Sequence, residues 1–218
     1  IGWEPDVSEE AVAKGLLPTG KKGSAPHLKE VLGDLLDTDI SHWKDTRITE
    51  RYPSKAKGDV QRYYRELRDN PKRVSGVGTR VTEQEYSKHS PEIYKKFAAM
   101  APGREIPAEF KTKKLAQRKL PKEWDEIGPT ITATSLPDDY VHYEQPRTLT
   151  VREWARVQGF PDWYEFKGKR TTGGIRRAGN PRAGIHFREL PKYTQIGNAV
   201  PVKLAKAVGQ HFIKILDR

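Results

Sequence analysis

The 218-residue chain carries a net charge of +11, from 40 Lys and Arg against 29 Asp and Glu, and it contains no cysteine. The lack of cysteine excludes disulfides, Cys-ligated zinc, iron–sulfur clusters and a cysteine nucleophile within these residues. Only 35% of residues are hydrophobic and mean hydropathy is −0.82, so the chain is either loop-rich or buries its faces against a partner. No apolar run approaches the roughly 20 residues of a membrane span, and the acidic first residues do not resemble a secretory signal.

Five segments show apolar residues at helical spacing or a helix-start signal. They are residues 27–37, 57–69, 91–102, 150–158 and a terminal helix that opens near Pro201. In the fourth segment, Thr150 followed by Glu153 predicts a capping box. The terminal helix carries an apolar stripe, made by Leu204, Ala205, Val208, Phe212 and Ile215.

Two further segments are predicted to be extended or irregular. Residues 69–80 contain Pro and Gly at turn positions and are predicted as loops or short edge strands. Residues 128–145 alternate β-branched residues and are predicted as a strand with a Pro-Asp-Asp turn.

Positive charge is concentrated in two blocks of the sequence. Residues 41–120 hold 20 basic and 10 acidic groups, and residues 167–192 hold 8 basic groups and 1 acidic group. The second block contains five glycines together with Arg170, Arg176 and Arg177. This composition suits a loop that places guanidinium groups against phosphates, and equally a solvated basic loop without a ligand.

Two runs near the end of the chain are far more specific. The first is RTLTVREWARVQGFPD from Arg147 to Asp162, and the second is YTQIGNAVP from Tyr193 to Pro201. In this order, and with the second run near the C-terminus, they resemble blocks IX and X of the DNA (cytosine-5) methyltransferases. A weaker similarity covers residues 1–146, where Pro129–Thr132 and then His142 resemble the approach to block IX. The chain is therefore similar to this family in its C-terminal part.

The chemistry of that family requires groups that this sequence lacks. Methylation of cytosine at C5 needs a thiolate that attacks C6, a glutamate beside N3, and a Gly-rich turn that holds S-adenosylmethionine. The base must also leave the duplex, because stacking shields C5 and C6. Neither a cysteine nor the family's Phe-x-Gly-x-Gly and Glu-Asn-Val blocks occur here. The resemblance thus implies no catalytic residue in this chain, which we expect to be inactive alone.

The resemblance implies an α+β fold: a loop-rich target-recognition domain with few strands, and a C-terminal helix that would pack on an absent Rossmann-like methyltransferase domain. Residues 1–146 would form the DNA-binding region facing the major groove, where each base pair has a distinct pattern. Residues 147–192 would hold the block IX helix and the basic Gly/Arg loop. Residues 193–218 would hold block X and the helix returning to the catalytic domain, which would cover its apolar stripe.

The resemblance also implies roles for individual residues. Those expected to contact DNA are Arg80, Thr82, Gln84, Arg170, Arg176 and Arg177; the first three surround a Gly-x-Gly loop, where ordinary exposed loop residues are the alternative. Arg147, Arg152 and Glu153 are expected to be buried or interfacial ion-pair members that organise the recognition region. Trp154, Val157 and Phe160 are expected in the core, with Gly159 and Pro161 ending the helix.

Block X is expected to line the cofactor site. Asn198, Ala199 and Val200 would contact S-adenosylmethionine, which the absent N-terminal half would otherwise bind. Gly197 would allow a close backbone approach or a positive φ. The alternative is a plain turn that starts a helix. The six histidines show no metal-binding spacing, so no metal site is predicted and these residues are expected in loops or at the surface.

Three functions remain open from the sequence. The first is a piece of a methyltransferase that acts on duplex DNA with its catalytic half, in cis or as a separate subunit, beside a possible cognate restriction endonuclease. The second is a non-catalytic DNA-binding module, and the third is a relative of tRNA cytosine methyltransferases. The resemblance places the protein in the cytoplasm of a bacterium or phage host, associated with the nucleoid and not with a membrane.

Overall fold

A computed structural model describes residues 25–39, 41–102, 107, 117–123, 131, 139–171, 179–184 and 186–217. By its internal contacts the chain divides into two compact units, residues 26–199 and the pair 1–25 with 200–218. The predicted segment boundaries at 146 and 192 fall inside the first unit, and the roles assigned to those segments stay predictions.

The described part of the chain mixes short helices with very small sheets. Its α-helices are α1 (Leu28–Leu32), α2 (Gly58–Arg65), α3 (Pro91–Ala99), α4 (Val151–Val157), α5 (Lys192–Asn198) and α6 (Val202–Leu216). A π-helical segment spans Ser41–Thr46 and a 3-10 turn spans Pro181–Ala183. The strands are β1 (Glu66–Leu67), β2 (Asn70–Val74), β3 (Arg118–Lys119) and β4 (Tyr140–Val141), with β1–β2 antiparallel and β3–β4 parallel. The mixed, strand-poor architecture agrees with the predicted fold class.

The predicted helices are present, but several are shorter than expected. The segment predicted over 27–37 is helical only to Leu32, because Gly33 follows and the Asp34 carboxylate is held by arginines from elsewhere. The segment predicted over 57–69 ends at Arg65, where the chain turns into the β1–β2 hairpin. In the 128–145 segment, Pro129, Thr130 and Thr132 lie outside the described residues, and the described residues of the segment contain the strand β4.

Helix α4 begins and ends as the sequence predicts. The Thr150 hydroxyl accepts a hydrogen bond from the Glu153 N–H at 3.1 Å, and the Glu153 carboxylate accepts one from the Thr150 N–H at 2.8 Å. At the other end Gly159 has φ +93°, while the Phe160 N–H donates to the Ala155 carbonyl at 2.8 Å. This is a Schellman termination, which needs a left-handed residue at the position that glycine occupies.

The main core lies in the unit formed by residues 26–199. Leucines of α1 pack with Trp154 and Ala155 of α4 and with Tyr193 and Ile196 of α5. Val157 and Phe160 are partly buried against this cluster, so the predicted core placement of both residues and of Trp154 is confirmed. A second cluster joins Phe97 and Met100 to Val141, with Ile93 packed against it. Helix α5 therefore connects block X directly to the core.

Candidate nucleic-acid interface

Helix α4 is a buried helix that carries three charged side chains. Val151 to Ala155 and Arg156 are all buried, and Arg152, Glu153 and Arg156 are each 0% exposed. Burying a charge is unfavourable unless a partner and hydrogen bonds compensate for it. Each of these three charged groups is therefore expected to form ion pairs or hydrogen bonds with other buried residues. Those bonds attach the neighbouring segments of the chain to α4.

The first partnership is between Arg147 and Glu153. Two guanidinium nitrogens of Arg147 donate to the two carboxylate oxygens of Glu153, at 2.9 and 2.7 Å, and Arg147 Nε donates to Gln145 Oε1 at 2.7 Å. Burial alone would raise the pKa of Glu153, but the adjacent guanidinium outweighs it and lowers that pKa to about 2. The pair therefore stays ionised, and it holds the segment that precedes α4, which contains Arg147, against the helix.

Arg156 makes the second partnership, with one carboxylate 6 residues away and one 122 residues away in the sequence. Its Nε donates to Asp162 Oδ1 at 2.9 Å, and its Nη2 donates to Asp34 Oδ2 at 3.2 Å. Asp34 also pairs with Arg65 of α2 at 2.6 Å, and Asp162 accepts from the Tyr52 hydroxyl at 2.7 Å. Burial lowers the pKa of Arg156, but the two carboxylates outweigh it and raise that pKa above its ordinary value. This network links α1, α2 and the end of α4.

Arg152 joins α4 to the segment that was predicted to read DNA. Its Nη2 donates to the Thr82 hydroxyl at 2.8 Å and its Nε donates to the Thr82 carbonyl at 3.1 Å. Gln84 is 1% exposed, and its amide accepts from the Thr150 hydroxyl at 2.8 Å and donates to Glu153 at 3.2 Å. The side chains of Thr82 and Gln84 are thus used inside the protein, whereas Arg80 is exposed. Of these three predicted DNA contacts, Arg80 is exposed, Thr82 is half-buried and Gln84 is buried.

Between Thr82 and Gln84, Glu83 links the same segment to α5. Glu83 has φ +66°, which is rare for a residue other than glycine. Lys192, the first residue of α5, places its Nζ 2.7 and 2.8 Å from the two carboxylate oxygens of Glu83. The backbone N–H of Arg152 donates to the Glu83 carbonyl at 3.1 Å. One residue therefore contacts both the block IX helix and the block X helix.

The residues predicted for the cofactor lie at the end of α5 and just after it. Asn198 is the last residue of α5 and is exposed, and the Ala199 carbonyl accepts a hydrogen bond from Gln158 Nε2. Val200 is 66% exposed. Gly197 lies within α5 and does not have the positive φ that the sequence allowed for it. Helix α5 itself was not predicted.

The basic loop is described only in part. Arg170 Nη1 donates to the Ser87 hydroxyl at 3.1 Å, and Arg170 Nε lies 3.5 Å from a Glu85 oxygen. Arg176 and Arg177 lie outside the described residues. The predicted contacts of these three arginines with DNA stay predictions.

Two open sites flank this scaffold within residues 26–199. A groove of 570 Å³ is lined by residues 48–51, 80–85, 165, 166 and 192, and it includes Arg51, Arg80 and four glutamates. A second pocket of 280 Å³ is lined by Lys44, Ser87, His89, Pro91, Tyr94, Lys95, Pro146 and Arg147, with no carboxylate. Burial, with Arg147 and Arg170 nearby, lowers the pKa of His89 to about 4, so this histidine is neutral at pH 7.

The β1–β2 hairpin presents one fully exposed strand. All five residues of β2 are exposed, and the hairpin carries Arg68, Lys72 and Arg73. The Arg68 guanidinium lies over the ring of Trp163 at 5.4 Å, and Trp163 is 43% exposed. Such a stack of a cation on an indole is favourable and holds the guanidinium in place. The sequence analysis did not single out this pair.

The prediction that the histidines are ordinary loop and surface residues holds only in part. His211 lies half-buried within α6. His142 lies in a loop, as predicted, but it is 0% exposed. Its Nδ1 accepts from the N–H groups of Glu144 and Gln145 at 3.0 and 3.1 Å, and burial with Arg147 nearby lowers its pKa to about 3. In the described part of the chain no cluster of His, Asp or Glu could hold a metal ion. None of the described helices is long and apolar enough to span a membrane.

Comparison with known proteins agrees with this arrangement. The family described as C-5 cytosine-specific DNA methylase matches residues 6–214 of the chain. The chain belongs to this family. Its predicted resemblance to the DNA (cytosine-5) methyltransferases is therefore confirmed, whereas its placement at the C-terminal end of such a protein stays a prediction.

Individual relatives of this methylase chain match a limited region. Type II methyltransferase M.Eco47II of Escherichia coli is 39% identical over 99 residues, which is 44% of this chain and 19% of that protein. DNA (cytosine-5)-methyltransferase CMT3 of Arabidopsis thaliana is 42% identical over 88 residues, or 39% of this chain and 8% of that protein. The matched region thus spans about a fifth or less of either relative.

A solved structure shares the fold. It is described as a DNA modification methyltransferase encoded within a prophage of E. coli, and it aligns with a TM-score of 0.53 at 19% identity. The alignment covers 94% of this chain and 53% of that one. The likeness therefore extends over nearly all of the methylase chain and about half of the other protein.

Proposed function

We propose that this chain is the target-recognition part of a DNA (cytosine-5) methyltransferase. The observation that carries the proposal is membership of the family over residues 6–214 in a sequence without cysteine. The reaction needs a thiolate, which a polypeptide or segment outside these 218 residues would supply. Together the two parts would transfer a methyl group from S-adenosylmethionine to C5 of cytosine within a specific duplex sequence.

The buried ion pairs support a positioning role for block IX. Through Glu153 and Arg156, these pairs tie Arg147, Asp34 and Asp162 to α4. A scaffold locked in this way presents its surface residues in a fixed geometry, which base recognition and positioning of the target cytosine require. The described residues of this chain would thus bind and orient DNA, and none would form a bond with the base.

Block X is proposed to reach the cofactor. The exposed amide of Asn198 and the exposed side chain of Val200 are accessible to a ligand, which fits a contact with S-adenosylmethionine. The cofactor supplies the electrophilic methyl group when bound. Glu83–Lys192 ties α5 to the segment beginning at Arg80, so the two proposed contact regions share one support.

The test is methyl transfer by the full-length gene product that contains this chain, using tritiated S-adenosylmethionine and duplex DNA. We expect incorporation into cytosine by the full protein, or by this chain mixed with a separate cysteine-bearing subunit, and none by residues 1–218 alone. Replacing the cysteine of the catalytic part with alanine should abolish incorporation. If no polypeptide with that cysteine accompanies the chain in the cell, the proposal fails and the non-catalytic DNA-binding module replaces it.

The preference for duplex DNA or for tRNA distinguishes the proposed function from that of a tRNA cytosine methyltransferase. We expect duplex DNA to be bound with an affinity that falls steeply with salt, because each phosphate contact releases counterions. Preferential methylation of tRNA would instead favour the RNA-modifying function. Since relatives such as M.Eco47II are named Type II methyltransferases, we also propose a cognate restriction endonuclease that shares the target sequence.

A further inference from the structure

We propose that the β1–β2 hairpin enters the major groove of duplex DNA, and that Arg68 reads a guanine there. The proposal rests on the proposed function in DNA methylation and adds the element and the residue that select the sequence. None of the residues expected to bind DNA from the sequence lies on this hairpin.

The shape and exposure of the hairpin fit a groove. Residues Asn70–Val74 of β2 are exposed at every position, including Val74 at 42%, and β2 pairs only with the two residues of β1 in the described structure. The two residues of β1 are half-buried, so β1 attaches the hairpin to the protein and β2 is its exposed strand. A two-stranded ribbon is marginally stable in water, so such an element is suited to a partner. The major groove of B-DNA, about 12 Å wide, admits a two-stranded ribbon.

Arg68 lies in the turn of this hairpin, and its guanidinium is held over the ring of Trp163 before any DNA binds. It lies 5.4 Å from the centre of the Trp163 ring, and both side chains are exposed. A guanidinium held on an aromatic face loses less conformational freedom on binding than a free one. Its fork of N–H donors matches O6 and N7 of guanine, which lie together only in the major groove. The Trp163 indole would thus orient the Arg68 guanidinium toward the guanine.

The charges around Arg68 suit a nucleic acid. Lys72 and Arg73 follow on β2, and Arg80 and Trp163 line the same small pocket beside β1. These cations can contact phosphates on either side of the groove. The hairpin also contains Glu66 and Asp69, so attraction to phosphates is moderate and favours selection of sequence over indiscriminate binding. Asn70 accepts from the Lys72 N–H at 3.2 Å and thereby shapes the turn.

The experiment uses the full-length enzyme and a library of randomised duplexes, in which methylated molecules are identified by bisulfite sequencing. In R68A we expect selectivity at one guanine-containing position to fall by about tenfold or more, with the rest of the target unchanged. W163L should weaken selectivity at the same position by a smaller factor. The matched control is R62A, an exposed arginine on α2, which should leave the preference as in the wild type.

The same library is also sequenced after selection for binding, so the hairpin is tested even if methyl transfer is not observed. Thermal melts establish that each variant is folded. If R68A keeps the wild-type preference at every position in the bound and methylated pools, the proposal is overturned while the proposed function stands. If the wild-type enzyme methylates no duplex, the proposed function fails independently.

Two further measurements separate base reading from phosphate binding. Replacing guanine by 7-deazaguanine at the selected position removes only the N7 acceptor, and it should weaken binding by the wild type but not by R68A. K72Q/R73Q should make the log–log salt slope shallower by about 2 without changing the preferred sequence, whereas the exposed control K55Q should not. A 7-deazaguanine effect that persists in R68A would assign guanine reading to another residue.

Discussion

Arg147 and Glu153 form an almost completely buried bidentate ion pair, and the same carboxylate caps the helix on which it lies. The Glu153 oxygens accept from Arg147, from the Thr150 N–H and from Gln84. One side chain thus combines helix initiation, charge neutralisation and attachment of the segment after Arg80. Block IX is therefore a packing centre whose polar groups are nearly all engaged with one another.

Removing one charge of this pair should be far more costly than removing both. E153Q keeps the capping geometry but leaves the Arg147 guanidinium buried without a counter-charge, at an expected loss of about 3 kcal/mol or more. R147M/E153Q removes both charges and should recover part of that loss. Urea unfolding of the two variants measures the difference, and equal destabilisation by both would contradict an energetic role for the pairing itself.

Glu83 should be sensitive to backbone conformation as well as to charge. Its φ of +66° disfavours alanine, while asparagine tolerates the left-handed region, and both replacements remove the ion pair with Lys192. E83A should therefore be less stable than E83N by about 1 kcal/mol. K192Q, which removes the ion pair without changing φ at Glu83, isolates the electrostatic part. If E83A and E83N melt together, backbone strain does not contribute at this position.

His142, which is buried, and His89, which is half-buried, should make the stability of the fold sensitive to acid. Folded His142 and His89 have pKa values of about 3 and 4, below the ordinary 6.5, so the unfolded chain binds protons that the folded chain does not. The stability contributed by these histidines is then complete above pH 6.5 and falls as the pH decreases from there toward their folded pKa values. The fall is at most about 1.4 kcal/mol per pH unit for the fully buried His142, and it is smaller for the half-buried His89, whose charge solvent screens. Glu153, with a lowered pKa, adds its loss only below its ordinary value of about 4.5.

H142N tests this pH dependence, because the asparagine carbonyl can accept the N–H groups of Glu144 and Gln145 without titrating. We expect a shallower dependence of the unfolding free energy on pH between 6.5 and 4, whatever the absolute stability. The exposed His186, changed to asparagine, is the matched control. An unchanged slope in H142N would show that His142 is not responsible.

Local signals in the sequence predicted where helices begin and end. The sequence did not show which residues pair over long distances along the chain. Thr150 and Glu153 are three residues apart and predicted the capping box correctly. Asp34 and Arg156 are 122 positions apart, and nothing in the composition around Asp34 indicates an arginine partner. Gln84 stands among charged residues in a Gly-containing region, which suggested exposure, yet its amide is buried by the cap of α4.

Helix α5 and Arg68–Trp163 were missed for different reasons. The run from Lys192 to Asn198 contains Thr194 and Gly197, which weaken a helical pattern, and tertiary packing of Tyr193 and Ile196 decides its conformation. Trp163 directly follows the block IX run, but a sequence does not show which distant cation its ring faces. An exposed tryptophan beside a basic turn is the only hint that could have been used.

Replacement of Gly159, in block IX, should lower the stability of the fold. At φ +93° an alanine is strained even though no atom would crowd its Cβ, so G159A should lose about 1–2 kcal/mol. Gly76 also has open space around its Cβ position and has no positive φ, so G76A should be close to neutral. Thermal melts of the two variants compare them directly, and a neutral G159A would mean that another termination of α4 is available.

We predict that the proposed catalytic part covers helix α6, because several large apolar side chains of this helix are exposed while Val208 and Ile215 are half-buried. Leu204 and Phe212 of the predicted stripe are 53% and 49% exposed, and Ile213 is 58% exposed. Large apolar side chains that stay exposed along one helix are typical of an interaction site or an aggregation liability. L204K/F212K should therefore make the isolated chain more soluble and less able to bind an apolar dye.

In the full-length enzyme, L204K/F212K should lower methyl transfer while DNA binding is retained. The control is Q210K, which adds charge at an exposed polar position of α6 and should have little effect on methyl transfer. Full activity of L204K/F212K would show that the stripe is not part of an interface with the catalytic part.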